Sequence, residues 1–159
     1  MNTQTETSTW STEGIIFNKT VLIHAPTSAV WKALTTPEIM KNWMADSDTE
    51  INILTDWQVG SPFTIRGVLH RVKFENRGTV LQFEPEKVLQ YSHLSSISRL
   101  PDVPESYSSF EFRLAPVNDQ TELTFTASNF PTETIYKHLR FYWNVTLEIL
   151  KRMIDGEER

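Results

Sequence analysis

From Pro62 to Thr126 the chain alternates between two kinds of side chain, and this leaves little freedom in how it folds. One set of positions reads Phe63, Ile65; Leu81, Phe83; Leu89, Tyr91, His93; Phe110, Phe112, Leu114; Leu123, Phe125. The set between them reads Arg66; Gln82, Glu84; Gln90, Ser92; Glu111, Arg113; Glu122, Thr124, Thr126. Successive residues of a strand point to opposite faces, so this period of two describes a sheet with one apolar and one solvated face. The strands carrying it are "EINILT", "PFTIRGVLH", "GTVLQFE", "KVLQYSHL", "SYSSFEFRLA" and "TELTFTAS", from Glu50 to Ser128. Their connections, such as "EPEK" (Glu84 to Lys87) and "PVND", are short and local, which specifies an antiparallel meander rather than a parallel sheet.

An apolar sheet face must be covered. The segment from about Thr132 to Asp155 reads as one helix, about 35 Å long at 1.5 Å per residue, enough to cross the whole sheet. Its apolar face carries Ile135, Leu139, Tyr142, Trp143, Thr146, Leu147, Leu150, Met153 and Ile154. Phe141 falls on the other side, toward the short helices, the N-terminal tail or a partner subunit. Glu133 near the start, Lys151 and Arg152 near the end and Gly156 beyond suit the helix dipole and a C-terminal stop. Before the meander, "GIIFNKTVLIH" (Gly14 to His24) reads as a strand. "APTSAVWKALTT" and "PEIMKNWM" then read as two short helices, with Trp31 and Trp43 seating them on the core.

The 159 residues suit one domain, expected over 13–159 after a flexible Thr/Ser/Glu-rich tail, Met1 to Thr12, in which Trp10 is a possible anchor. A net charge of −5 argues against nucleic acid or an anionic membrane as the main partner. The absence of Cys excludes disulfides, thiol catalysis and thiolate-ligated zinc. No apolar run approaches the roughly 20 residues of a membrane span, and the N-terminal stretch lacks the basic start and apolar centre of a secretory signal. A cytoplasmic protein is the expectation, as a monomer or homodimer.

A strand, two short helices, a six-strand meander and a long closing helix make an α+β helix-grip arrangement. With that order in view, "VLIHAPTSAVWKALTTPEIMKNWM" resembles the opening signature of the activator-of-Hsp90-ATPase C-terminal-domain-like proteins, within the SRPBCC (Bet v 1/START-like) superfamily. "VGSPFTI", "GTVLQFEPEKVLQYSHL", "TELTFTASNF" and "YWNVTLEILKRM" extend the resemblance over roughly Phe17 to Ile154. It implies a curved antiparallel sheet wrapped around the last helix, with a cavity between them. The chain departs from the family's pattern twice. Tyr142-Trp143 stands where many relatives have Gly-Trp, and His93 where relatives often have Trp, so the cavity is expected to differ in shape and polarity.

Three functions follow as expectations. The first is a non-enzymatic binding protein that holds a small hydrophobic, amphipathic or lipid-like ligand. Tyr91, His93, Tyr142 and Thr146 would orient the ligand, and Phe63, Phe83, Phe110, Phe112, Trp143 and Leu150 would form the walls. Trp57, in "LTDWQVG", would stand near the mouth. The second, implied by the family's name, is a stress-related co-chaperone contacting an Hsp90-type chaperone. The chain lacks the separate N-terminal domain of the eukaryotic co-chaperone, which counts against it. The third is a polyketide-cyclase or hydrolase-like enzyme, with His93 as its only visible acid/base group.

His93 is titratable on an otherwise apolar face, and its structural alternative is a core histidine bonded to Tyr91, Tyr142 or a backbone carbonyl. His24 ends the first strand, His70 falls on the outward set, and His138 lies near the start of the last helix. None has metal-ligand spacing, and "ADSDTE" (Ala45 to Glu50) lacks the glycine and closing glutamate of a calcium loop. No nucleophile-elbow, phosphate-cradling or dinucleotide glycine motif is present, and no cofactor or metal is expected.

Overall fold

Proline spacing divides the first helical region. Thr36 is extended (φ −103°, ψ 111°), as expected for a residue before proline, and Pro37 then occupies the first turn of the next helix. The structure, a computed structural model, describes residues 14–46 and 48–156. The expected tail, Met1 to Thr12 with Trp10, lies outside the described residues. Strand β1 (Ile16–Ile23) is followed by helices α1 (Thr27–Thr35) and α2 (Pro37–Met44). Strands β2 (Glu50–Thr55), β3 (Pro62–Leu69), β4 (Val72–Glu84), β5 (Val88–Ser95), β6 (Ser108–Val117) and β7 (Gln120–Ser128) come next, and α3 (Glu133–Asp155) closes the chain.

The strands form one antiparallel sheet in the order β1-β7-β6-β5-β4-β3-β2. It is the expected α+β helix-grip arrangement, a curved sheet around a long closing helix. The core lies between them, sealed at one side by α1 and α2. The Trp43 indole N–H donates to the Ala33 carbonyl (2.9 Å), and both Trp31 and Trp43 are buried, as expected of residues that seat the short helices.

Helix α3 is capped at both ends. The Thr132 hydroxyl accepts from the Ile135 N–H (3.1 Å), and Gly156 takes the left-handed conformation (φ 78°) while its N–H reaches the Arg152 and Met153 carbonyls. Its buried face carries Leu139, Trp143, Thr146, Leu147 and Leu150, while Phe141 lies outward. Among the described residues no helix is long and apolar enough to cross a membrane.

The C-terminal end of α3 is tied to the end of β1 by Asp155. Its enclosed carboxylate accepts from the His24 backbone N–H (2.8 Å) and from Lys151 Nζ (2.6 Å). Burial acts to raise its pKa, but the Lys151 and His24 hydrogen bonds and nearby positive charge outweigh it, and the net value lies below the ordinary one. A carboxyl depressed in the folded state contributes stability above its unfolded-state pKa, and loses it as pH falls through the folded value. Asp155→Asn is therefore expected to lose about 2 kcal/mol at pH 7, the range for hydrogen bonds to a charged group. The gap to the native protein should narrow as pH falls below about 4. Urea denaturation across that range is the measurement. An equal loss at pH 7 and pH 3 would rule out the ionised carboxylate as its source.

Two strand expectations are corrected. Strand β4 begins at Val72, not Gly78, because His70 and Arg71 make a tight turn with φ of 50° and 67°. Neither residue is glycine or asparagine, so nothing marked the turn. His70 is thus an exposed turn residue rather than a member of the outward strand set. Leu81 is also not inward: it is 41% exposed, and Val80, 0% exposed, takes its place in the core. The pairing shifts by one between Val80↔Tyr91 and Gln82↔Gln90, a β-bulge that makes Leu81 the extra residue.

Candidate functional site

The inward residues of β3, β4, β5 and β6 converge under the middle of α3 as a layer of rings. Phe63 lies 4.2 Å from Tyr91 between centroids, and Tyr91 meets Phe110 edge-on at 5.8 Å. Phe112 stacks with Tyr91 at 6.1 Å. Trp143 comes down from α3 onto Phe110 at 5.2 Å and Phe112 at 5.6 Å. Trp57 stacks on Phe63 (5.4 Å) and Phe83 (5.5 Å), and its indole N–H donates to the Thr35 carbonyl at the end of α1 (2.7 Å). Its φ of 58° is unusual for a bulky side chain, and these contacts, with its backbone N–H on Thr55 Oγ1 (3.0 Å), hold it there. Thr146 and Leu150 are buried on the same face of α3. Trp57, Phe63, Phe83, Tyr91, Phe110, Phe112 and Trp143 are therefore linked ring to ring in one region. In the centre of it the rings pack on one another.

Tyr142 is placed differently from expectation. It sits about 100° around the helix from Trp143, which turns it toward α2 rather than the sheet. Its hydroxyl donates to the Met44 carbonyl at the end of α2 (2.5 Å), and its ring meets Trp143 edge-on at 5.1 Å. Burial pushes its pKa up to about 12, with Thr146 partly offsetting. Tyr142 thus braces α3 against α2.

His93 also departs from the bland alternative. Its ring lies against Phe110 (4.9 Å), but among the described residues it has no hydrogen bond to Tyr91, Tyr142 or a carbonyl. Burial, aided by the nearby His138, pushes its pKa down to about 4, so the imidazole is neutral at pH 7. The Tyr91 hydroxyl is likewise unbonded among the described residues, and burial holds its pKa well above the usual tyrosine range. Two polar atoms that are themselves buried, Asn76 Oδ1 and Trp143 Nε1, have no partner among the described residues. Buried polar atoms are normally bonded, so such a group calls for an explanation. Trp143 touches Phe110 together with Tyr91 and His93, so one of the two lies beside these side chains around one ring.

Asn76 stands opposite Ile65, one step along the same face from Phe74 and Gly67. There the sheet runs out beyond α3 into a groove of about 740 Å³, lined by Lys41, Ile51, Gly67, Val68, Lys73 and Phe74 among others. The Phe74 ring covers Gly67 so closely that a Cβ there would lie 2.6 Å from it. Asn76 was missed at the sequence level because it lies in the part of β4 hidden by the unmarked turn. The Trp143 indole was expected as a wall, and nothing in the spacing signalled its unpaired N–H. Among the described residues no group of acidic or histidine side chains could hold a metal ion.

This arrangement defines the chain as a helix-grip protein, with its candidate site between the concave sheet and the closing helix. The chain belongs to the activator of Hsp90 ATPase homolog 1-like protein family, which matches residues 24–155. A Cytophaga hutchinsonii protein known from its solution structure is 34% identical, over 89% of this chain and 94% of its own, with a TM-score of 0.75. A crystal structure from Nitrosomonas europaea is 25% identical over 90% and 96% of the two chains, TM-score 0.72. The Aha1 dimer of Colwellia psychrerythraea is 25% identical over 89% and 96%, TM-score 0.67. No curated protein shows a significant sequence match. The family and fold suggest a ligand-binding or chaperone-like role.

Proposed function

We propose that the chain is a non-enzymatic binding protein for a small, uncharged amphipathic molecule, held between the sheet and α3. The observation that carries this reading is that two buried polar atoms, Trp143 Nε1 and Asn76 Oδ1, have no partner among the described residues, while Tyr91 and His93 share the Phe110 ring with Trp143. Few orienting polar groups in an apolar surround is the usual composition of a ligand site. Trp143 Nε1 can only donate and Asn76 Oδ1 can only accept, so the ligand would carry both an acceptor and a donor. Burial keeps Tyr91 and His93 neutral at pH 7, and the same burial penalises a charged guest. The groove beside Phe74 is the route of entry in this reading.

Asn76→Leu tests it. Removing a buried orphan acceptor with a side chain of similar shape is expected to stabilise the free protein by about 1–2 kcal/mol while weakening binding. Native mass spectrometry of the protein as purified from cells should show a bound small molecule that the variant lacks. Titration with 2-naphthol, a neutral donor–acceptor aromatic, should shift the Trp143 indole ¹⁵N resonance saturably. No copurifying mass together with no saturable shift would end the proposal.

A second reading has support in the family's description and in the Colwellia relative, an Aha1 protein. It is a co-chaperone role through contact with an Hsp90-type chaperone. Stimulation of the cognate chaperone's ATPase by the purified chain is the assay, and no stimulation at saturating protein ends it. The dimeric state of that relative also supports a homodimer for this chain.

A further inference from the structure

The outer face of α3 carries apolar side chains that no element among the described residues covers. Thr134, His138, Phe141, Val145, Glu148 and Arg152 follow one another at spacings of four, three, four, three and four. Positions at those spacings lie along one stripe, the seam that faces a second helix packed lengthwise at a shallow angle. Yet this seam faces away from the sheet: Phe141 is 72% exposed and Val145 43%, with Ile149 beside them at 40%. Its middle is apolar and both its ends are polar, the layout of an interface with an apolar centre and a wet rim. A stripe with these spacings is symmetric end to end, here about position 143, so two antiparallel copies bring the same six positions together. Phe141 lies as far before that position as Val145 lies after, and the same holds for His138 with Glu148 and for Thr134 with Arg152.

We infer that this face is the interface of an antiparallel homodimer in which α3 of one protomer lies along α3 of its partner. This builds on the homodimer reading above, but the pattern comes from this chain alone. A two-fold axis beside position 143 makes the interface self-complementary. At its centre the Phe141 of one copy meets the Val145 of the other, twice over. Toward each end the His138 of one copy meets the Glu148 of the other. Glu148 is held by Lys19 of its own protomer (3.0 Å), which fixes its carboxylate beside the seam. At the ends Arg152, which has no ion pair among the described residues, comes beside Thr134 and Glu133 in the other copy's first turn. A parallel pairing would instead set Glu148 against Glu148 and Arg152 against Arg152. The charges therefore select the antiparallel register, and the opposed helix dipoles favour it too.

The seam spans about 27 Å of helix. It would bury on the order of 1,000 Å² in total, at the small end for a specific interface. A dissociation constant of tens of micromolar is therefore the expectation, with Phe141 as the anchor. Sedimentation equilibrium of the full chain from about 5 to 500 μM should show a monomer–dimer equilibrium. Phe141→Glu, an exposed substitution that leaves the melting temperature unchanged, should weaken association at least about 100-fold. The register is tested at the ends. Thr134→Glu should tighten association several-fold by giving the partner's Arg152 a carboxylate, and Thr134→Arg should weaken it several-fold. With Arg152→Glu present as well, that order should reverse, which an effect of position 134 on its own helix would not produce. No reversal, or dimers that ignore Phe141→Glu, would overturn this interface but leave the homodimer reading standing. A chain that stays monomeric throughout would overturn both. If such a monomer dimerised once residues 1–13 were removed, the seam would pair two copies only when freed of that segment, and the inference as stated would also fail.

Discussion

Trp143→Ala is expected to lower the unfolding free energy by about 3–4 kcal/mol, within the range for removing a large buried aromatic. Trp143 is 2% exposed, stacks on Phe125 at 4.5 Å and meets Phe110 and Phe112 edge-on. Alanine is the better helix former, so the loss would come from packing alone. Losing the unpaired indole N–H should return part of it, which is why the upper end of the range is not reached. The same change opens a ring-sized space bounded by other rings. Indole added to the variant should then raise its melting temperature by mass action, and should leave the native protein unaffected. Urea denaturation measures the loss, and thermal denaturation with and without indole measures the recovery. A loss below about 1 kcal/mol would mean that α3 is not seated on the sheet through this residue.

Gly78→Ala should be damaging for a different reason. Its φ is ordinary, so torsional strain does not enter. The obstacle is the neighbouring strand: a Cβ at Gly78 would sit 1.7 Å from the Ser92 carbonyl oxygen and 2.5 Å from its carbon. Backbone cannot yield as a side-chain tip can. Strands β4 and β5 would have to part where Thr79 already bonds the Ser92 hydroxyl (2.9 Å) instead of a backbone carbonyl. The cost is expected to be about 3 kcal/mol or more, the upper end for overpacking. Because Tyr91 and His93 flank Ser92, binding of the proposed amphipathic ligand should fall with it. Gly60→Ala is the contrast. Gly60 has φ of 93° and open space around it, so only the conformational penalty of about 1–2 kcal/mol applies. Equal effects of the two substitutions would contradict the close approach of the strands.

Much of the architecture was legible because burial writes a period into the sequence. Phe63, Tyr91, Phe110, Phe112 and Phe125 stood out as one face, and they are the rings on which α3 rests. Thr132 and Gly156 marked the ends of α3 through the orphan groups that every helix terminus must satisfy. Local departures from period were not legible. Leu81 and Val80 are both apolar, so alternation could not say which was the extra residue. His70 and Arg71 turn the chain without the residues that usually permit it. Tyr142 counted as inward on a wide stripe, but a 100° step separates the sheet from α2, and only the position of Met44 shows which side its hydroxyl reaches. The unpaired state of Asn76 and Trp143 depends on three-dimensional neighbours, which no spacing encodes.

The bulge at Leu81 bears on how this protein could change in length. Omitting Leu81 would leave Gln82, Phe83 and Glu84 with their present partners on β5, and Val80 and Phe83 would then alternate regularly on the inner face. A one-residue deletion, ordinarily ruinous inside a strand because it turns every later side chain over, is here compatible with the pairing. What it would remove is the local bend and twist that a bulge adds to its strand. The curvature with which the sheet closes on α3 is thus adjustable by an insertion or deletion at a position whose side chain faces solvent, with no inward residue replaced.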